Sequence, residues 1–393
     1  MSPKPTEYEL ARSSHSIDND SANDPKADET VCFTVDDKPY YPFLKVDPSQ
    51  EHTIMNAVSL LLLGTKEEER NTKLYQISKV SGGITNALFR VQVMSDNKPI
   101  DVLVRVFGAE GMIDRDVENS LYAALATQKL APPYYGRFAN GRIEQFYPHS
   151  KALEVSQLSD MEISTQIAKQ MSKLHGEFQI PFALQQNQPT LQTPSLFIQL
   201  DDWMEQAQKS IFQTPEDTTR VEQGMVPLTK LADEIVWLKQ NVISADECTN
   251  KVGFCHNDLL AANILYDSSN HKLQLIDFEY GGLNYCAFDI ANHFNEFAGG
   301  TDDAKPNYAL FPSPEFQTQF CQTYLEETSD KVTDGDTQDL VRNVQGFVLV
   351  NHLYWGLWGV NQAATEGCEE FDYLLYAHNR FQQYFAVKAE QYP

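Results

Sequence analysis

Basic residues are scarce in this chain: 30 Lys and Arg stand against 55 Asp and Glu, a formal net charge of −25 at neutral pH. At long range such a surface repels nucleic acid and anionic membranes, and it favours solubility and cationic ligands. An anionic ligand would need a local positive site made from backbone donors, particular arginines and metal ions. None of the six cysteines (Cys32, Cys248, Cys255, Cys286, Cys321, Cys368) shares a CxxC spacing with another. That speaks against a disulfide frame or a zinc site and suits reduced thiols in the cytosol. No basic-then-apolar signal pattern opens the sequence. The longest apolar run near the N-terminus, Leu60-Leu61-Leu62-Leu63, stops at Gly64, far short of a bilayer span. The expectation is a cytoplasmic protein with no membrane insertion and no nucleic-acid partner.

Internal repeats are missing too, and 19 glycines and 19 prolines are ordinary numbers, against a fibrous or low-complexity architecture. At 393 residues, 42% of them hydrophobic, the chain is too long for one compact core and suits two lobes. Residues 1–30, rich in Ser, Asp, Asn and Pro, cannot repay the entropy of ordering and are expected to form a disordered acidic leader. Tyr40-Tyr41-Pro42-Phe43 predicts a short extended segment, and Ile54, Val58 and Leu61 a helix over 49–70. Three strands follow, around Leu74–Ile77, Leu88–Val93 and Val102–Phe107, then a helix over 114–129 and a strand at Gly141–Phe146. The fold class is α+β: an N-terminal lobe at 31–148 with an antiparallel sheet and a larger, mostly helical lobe at 149–393. The second is interrupted by short strands at Gly253–His256 and Lys272–Asp277. Residues 181–196, with several Pro and Gln, read as a surface connection between helices.

The chemistry concentrates in His256-Asn257-Asp258-Leu259-Leu260-Ala261-Ala262-Asn263, a loop between the apolar segments Val252-Gly253-Phe254 and Ile264-Leu265-Tyr266. Nineteen residues after Asp258 an apolar strand ends in Ile276-Asp277-Phe278-Glu279-Tyr280. In phosphoryl transfer one carboxylate orients the attacking hydroxyl, while a second carboxylate and an amide oxygen hold magnesium on the phosphates. The pattern H-x-D-x4-N followed by an apolar residue and D-F has that spacing, as in kinase catalytic loops. A lone Asp in a loop usually makes a turn, but so many coincident positions do not arise as a turn alone.

Ser81-Gly82-Gly83-Ile84-Thr85-Asn86 is a weaker signal. A Gly-Gly between strands is more often a hairpin turn, yet its place before a strand suits a phosphate cover, because backbone amides can approach where no side chain intervenes. Arg105 lies in an otherwise apolar strand and needs a partner, since isolated buried charge is costly; a guanidinium there can grip phosphate oxygens bidentately. Glu118, on the next helix, is the expected carboxylate to brace it. Glu144-Gln145-Phe146-Tyr147 occupies the place of a hinge, where backbone groups read adenine.

With these residues in view, the chain resembles the choline/ethanolamine kinase family, from about Ser81 to the C-terminus, and its ethanolamine branch most. The resemblance is carried by Ser81–Asn86, Leu103–Gly108, Glu144-Gln145-Phe146, His256-Asn257-Asp258, Ile276–Tyr280 and Phe288-Asp289-Ile290-Ala291-Asn292-His293-Phe294. Trp355-Gly356-Leu357-Trp358 and Tyr376-Ala377-His378-Asn379-Arg380-Phe381 complete it. It implies a protein-kinase-like two-lobed fold, ATP as co-substrate, Mg2+ as cofactor, and a small amino alcohol as the other ligand. Position by position it implies Asp258 as catalytic base and Asn263 and Asp277 as metal ligands. It places Ser81, Gly82, Gly83, Thr85, Asn86, Arg105, Glu118, Gln145 and Asp277 around ATP. Tyr280, Glu296, Trp355, Trp358 and Tyr376 fall where the family builds its amine pocket, although the two tryptophans alone would read as helix core. Choline kinases typically place an aromatic just after the glutamate, where this chain has Phe297-Ala298-Gly299-Gly300, and the small residues predict a thinner lining. A choline or dual-specificity kinase and an inactive kinase-like scaffold remain the alternatives, and a homodimer stays open.

Overall fold

The computed structural model describes residues 32–33, 38–63, 75–80, 86–94, 99–108, 114–242 and 251–392. The expected leader at 1–30 and the turn at 81–85 lie outside the described residues. The first part of the chain holds β1 (Cys32–Phe33), β2 (Pro39–Tyr41), α1 (Glu51–Val58), β3 (Tyr75–Val80), β4 (Asn86–Val93) and β5 (Ile100–Phe107). It continues with α2 (Arg115–Thr127), β6 (Tyr134–Phe138) and β7 (Gly141–Gln145). The seven strands form one sheet in the order β1-β2-β6-β7-β5-β4-β3, antiparallel except for the β2–β6 pair.

β5 lies inside the sheet between β7 and β4, with Val102, Val104 and Val106 buried at alternate positions against α1 residues Ile54, Ala57 and Val58. Arg105, on its opposite face, is buried as well. The helix expected over 49–70 is shorter. α1 ends at Val58 and opens into a wide turn at Ser59–Leu63, where the buried Ser59 hydroxyl meets the Tyr75 hydroxyl at 2.5 Å and ties the turn to β3. Strand β6 was not anticipated, because Gly136, at φ 137° and beside a register shift, interrupts its alternation. Asp114 starts α2 by accepting the backbone N–H groups of Asp116 and Val117. The apolar face of α2 (Leu121, Tyr122, Leu125) belongs to the larger core formed mainly by the rest of the chain.

The remainder comprises β8 (Lys151–Ala152), α3 (Met161–Glu177), α4 (Phe182–Asn187), α5 (Leu196–Lys209), α6 (Pro215–Gly224), α7 (Leu228–Asn241), β9 (Val252–Cys255), β10 (Ile264–Asp267), β11 (Lys272–Leu275), β12 (Gly282–Tyr285), α8 (Cys286–Asn295), α9 (Pro314–Glu326), α10 (Asp334–Glu366) and α11 (Tyr373–Gln391). The stretch at 181–196 is more than a connection: it holds α4 and a tight turn at Pro189–Leu191, with Leu191 buried. Helix α3 buries Ile163, Ile167, Met171 and Leu174 at helical spacing, each worth about 1.5–3 kcal/mol. Helix α10 is buried almost all round from Phe347 to Leu357, in the midst of α5, α8, α9 and α11. Gly356 and Gly359 line its contact with α11: a Cβ on the first would run into the Phe381 ring, and one on the second would lie 2.9 Å from the Tyr373 carbonyl. No helix among the described residues is long and apolar enough to cross a membrane.

Candidate active site

β9 delivers His256, Asn257 and Asp258 into a loop fixed from below by Asp289, in the first turn of α8. The Asp289 carboxylate accepts the backbone N–H groups of His256 at 2.8 Å and Asn257 at 2.7 Å, together with Nε2 of His175 from α3 at 2.9 Å. The His256 ring donates to the Ile276 carbonyl at 2.8 Å, and the Asn257 amide to the Tyr280 carbonyl at 2.9 Å. These bonds knit the 256–258 loop to the 276–280 segment, so the two halves of the sequence motif lie side by side. Asn257 (φ 66°) and Asp277 (φ 64°) both adopt left-handed backbone conformations, which cost a non-glycine residue energy and are held only by their surroundings.

Asp258, Asn263 and Asp277 come together as expected. Asn263 gives its amide nitrogen to the Asp258 carbonyl (2.9 Å) and carboxylate (3.2 Å), which leaves its oxygen as a ligand atom. Asp277 has a partly exposed carboxylate. An amide and a carboxylate oxygen suit a hard cation such as Mg2+. Another group of metal-ligating side chains, His175, Cys255 and Asp289, is spoken for: both His175 nitrogens and both Asp289 oxygens already have hydrogen-bond partners.

Arg105 reaches across from β5 to Asp277 (3.0 Å), and its Nε binds Glu144 of β7 (3.0 Å). The expected brace from Glu118 is corrected by the hydrogen bonds. Glu118 pairs instead with Arg142 (2.6 Å), the cross-strand neighbour of Arg105, and with Arg115 (2.7 Å), and it acts on Arg105 through its field. The alternating chain Asp277, Arg105, Glu144, Arg142, Glu118, Arg115, Glu279 results, each member within 3.1 Å of the next. It starts and ends on one segment. Asn86, at the start of β4, touches the same end through Glu279 (3.4 Å) and Arg115 (3.5 Å). Gln145 spends its side chain on the Asp101 and Phe146 carbonyls and the Tyr135 hydroxyl, holding the strand end where the hinge was expected.

Burial, and then the charges of Glu296, Asp277 and Glu279, push the Asp258 carboxyl well above the usual carboxylate range, with Asn263 pulling the other way. Burial also raises Glu296, against the nearby Arg380 guanidinium at 3.6 Å. Beyond Asp258 stands a continuous set of rings: Tyr280–Trp355 at 5.4 Å between centroids, Trp355–Trp358 at 5.4 Å, and Trp358–Tyr376 at 6.0 Å. Both indoles are pinned, Trp355 donating to Asn292 (2.6 Å) and Trp358 to the Tyr280 hydroxyl (3.0 Å). Asn292 is held in turn by Asn351, which also meets Arg380.

Sequence reasoning missed Asp289, Asn292, Asn351 and Arg380 as site residues. Their signal was there in principle: polar residues inside apolar helical runs that the quoted motifs contain or adjoin. Gly299 and Gly300, from which a thinner lining was expected, have a backbone role of their own. Their φ values of 63° and 86° call for glycine, and a Cβ on Gly300 would lie 2.5 Å from the Pro306 nitrogen.

Comparison with known proteins agrees with this arrangement. A family model described as choline/ethanolamine kinase matches residues 77–385. Human ethanolamine kinase 2 is 35% identical over 331 residues, 83% of this chain and 78% of that protein. The choline/ethanolamine kinase of Rattus norvegicus is 34% identical over 335 residues, 80% of each. Among solved structures, a Plasmodium vivax ethanolamine kinase superposes with a TM-score of 0.71 at 25% identity, covering 87% of this chain and 91% of that one. The chain therefore belongs to the choline/ethanolamine kinase family, ATP-dependent kinases that act on an alcohol.

Proposed function

We propose that the protein transfers the γ-phosphoryl group of ATP to the hydroxyl of ethanolamine, giving phosphoethanolamine and ADP, the first step of phosphatidylethanolamine synthesis by the CDP-ethanolamine route. The observation that carries this reading is the pairing of two carboxylates, the half-buried Asp258 and the buried Glu296, that feel one another beside a wall of aromatic rings. Such a site suits a small molecule with a hydroxyl at one end and an ammonium at the other. Asp258 accepts the hydroxyl proton as the oxygen forms its bond to phosphorus and the bond to the ADP oxygen breaks. Asp277 and Asn263 are the residues that would hold Mg2+, which neutralises phosphate charge when bound. Arg105 contributes the guanidinium for the phosphates. The ammonium lies against Tyr280, Trp355, Trp358 and Tyr376 and donates to Glu296.

The unbroken run of four rings also favours a second reading, choline as an alternative or additional substrate, because a trimethylammonium gains from aromatic faces without needing acceptors. Coupled ADP release at saturating ATP, over ethanolamine, choline, methylated ethanolamines, serine and an aminoglycoside, separates the two. The highest kcat/KM is expected for ethanolamine, with weak turnover of choline; a higher value for choline would overturn the preference and leave the chemistry standing. Lack of turnover with every amine would leave the scaffold.

A further inference from the structure

Arg115 has no role in the reading above, yet its place is unusual. It is the first residue of α2, where a cation opposes the helix dipole, so helix stability does not explain it. Its guanidinium lies over the Phe107 ring at 4.8 Å and reaches Glu118 at 2.7 Å, Asn86 at 3.5 Å and Glu279 at 3.1 Å. Glu279 stands two residues from Asp277, and each of the two carboxylates faces an arginine from the sheet side of the molecule. A divalent cation approaching this segment therefore competes with two arginines already paired to its carboxylates. Arg105 has an alternative partner in the nucleotide phosphates. Arg115 is gripped by Glu118 and stacked on Phe107.

We propose that Arg115 is a positioning residue: as the resident counter-ion of Glu279 it limits how tightly the Asp277–Glu279 segment holds a divalent cation without nucleotide, so that metal and ATP arrive together. This inference rests on the metal assignment in the proposed function. The phosphates of the nucleotide would offer the arginines other acceptors and add negative charge to that of the segment's own carboxylates.

The test is Mn2+ binding to the full-length chain, followed by calorimetry or by loss of the free-ion spin-resonance signal, with and without ADP. Arg115→Gln and Arg115→Met, two neutral replacements of comparable length, are expected to tighten Mn2+ binding to the nucleotide-free protein by about tenfold or more, since a unit charge near a divalent ion is removed. Arg115→Lys keeps the charge and is expected to stay within about threefold of wild type on the same ground. A melting curve identifies folded variants, and either neutral one decides. Unchanged or weaker Mn2+ binding in a folded neutral variant overturns the proposal, as does equal tightening in the lysine variant. Failure of the wild type to hold Mn2+ even with ADP would overturn the metal assignment itself, and the proposal with it.

Discussion

Replacing Asp289 by Asn tests whether the catalytic loop is set by one buried carboxylate. The change keeps shape and removes an acceptor. Asp289 Oδ1 takes the Asn257 N–H, and Oδ2 takes the His256 N–H and His175 Nε2. The better orientation of an asparagine leaves its oxygen with the latter two and turns its NH2 toward the Asn257 N–H, donor against donor. One hydrogen bond to a charged acceptor is lost, about 1.5–3 kcal/mol, and a buried donor is stranded at a cost of about 1–3 kcal/mol. A loss of roughly 2.5–6 kcal/mol follows, which in a chain of 393 residues lowers Tm by about 3–7 °C. The loop carrying Asp258 loosens at its Asn257 hinge, and a displacement near 1 Å costs on the order of 10²-fold in kcat. Differential scanning fluorimetry and steady-state kinetics read both. Since Arg105 and the aromatic wall are untouched, KM values are expected to change much less than kcat. Wild-type Tm together with wild-type kcat would refute the idea that Asp289 sets the loop.

Asp258→Asn keeps size but removes the proton acceptor, so turnover is expected to fall about 10²–10⁴-fold while ADP titration shows nucleotide binding retained. The free-enzyme profile of kcat/KM against pH is expected to have an acid limb set by Asp258. Burial and then the Glu296 charge raise that carboxyl, and only its ionised form accepts the proton, so activity rises with pH through a value above the ordinary carboxylate range. Glu296→Gln deletes the neighbouring negative charge and is expected to move this limb to lower pH, whatever it does to amine affinity; a limb that stays put would remove Glu296 from the vicinity of Asp258. Gly300→Ala forces a side chain onto φ 86° and against Pro306, with an expected loss of at least about 1–2 kcal/mol measured by urea unfolding.

The motif residues were legible because chemistry fixes both type and spacing: an Asp, an Asn five positions on, and a second Asp closing an apolar strand land in one place by hydrogen bonds among their own neighbours. Strands β4 and β5 were legible because valines alternate along them. Partner choice was not. Arg105 demanded a carboxylate, but Glu118 and Glu144 were both within plausible reach in sequence. Strand register, which sets Arg105 opposite Arg142, hands Glu118 to the latter. Glycine was ambiguous for a related reason. Gly299 and Gly300 look the same on paper whether they widen a pocket or permit a turn, and only the backbone angles tell.

The contact between α10 and α11 carries a consequence for how substrate range changes over time. Tyr376 and Arg380 reach the proposed amine site from α11, whose distance from Trp355 and Trp358 depends on hydrogen atoms at Gly356 and Gly359, packed against Phe381, Tyr373 and the Tyr376 ring. A methyl group at either position would push α11 outward and carry a ring and the guanidinium beside Glu296 with it. The width of the proposed amine cleft is thus open to drift through residues of the helix contact, and two enzymes with the same rings and carboxylates can differ in which amine they prefer.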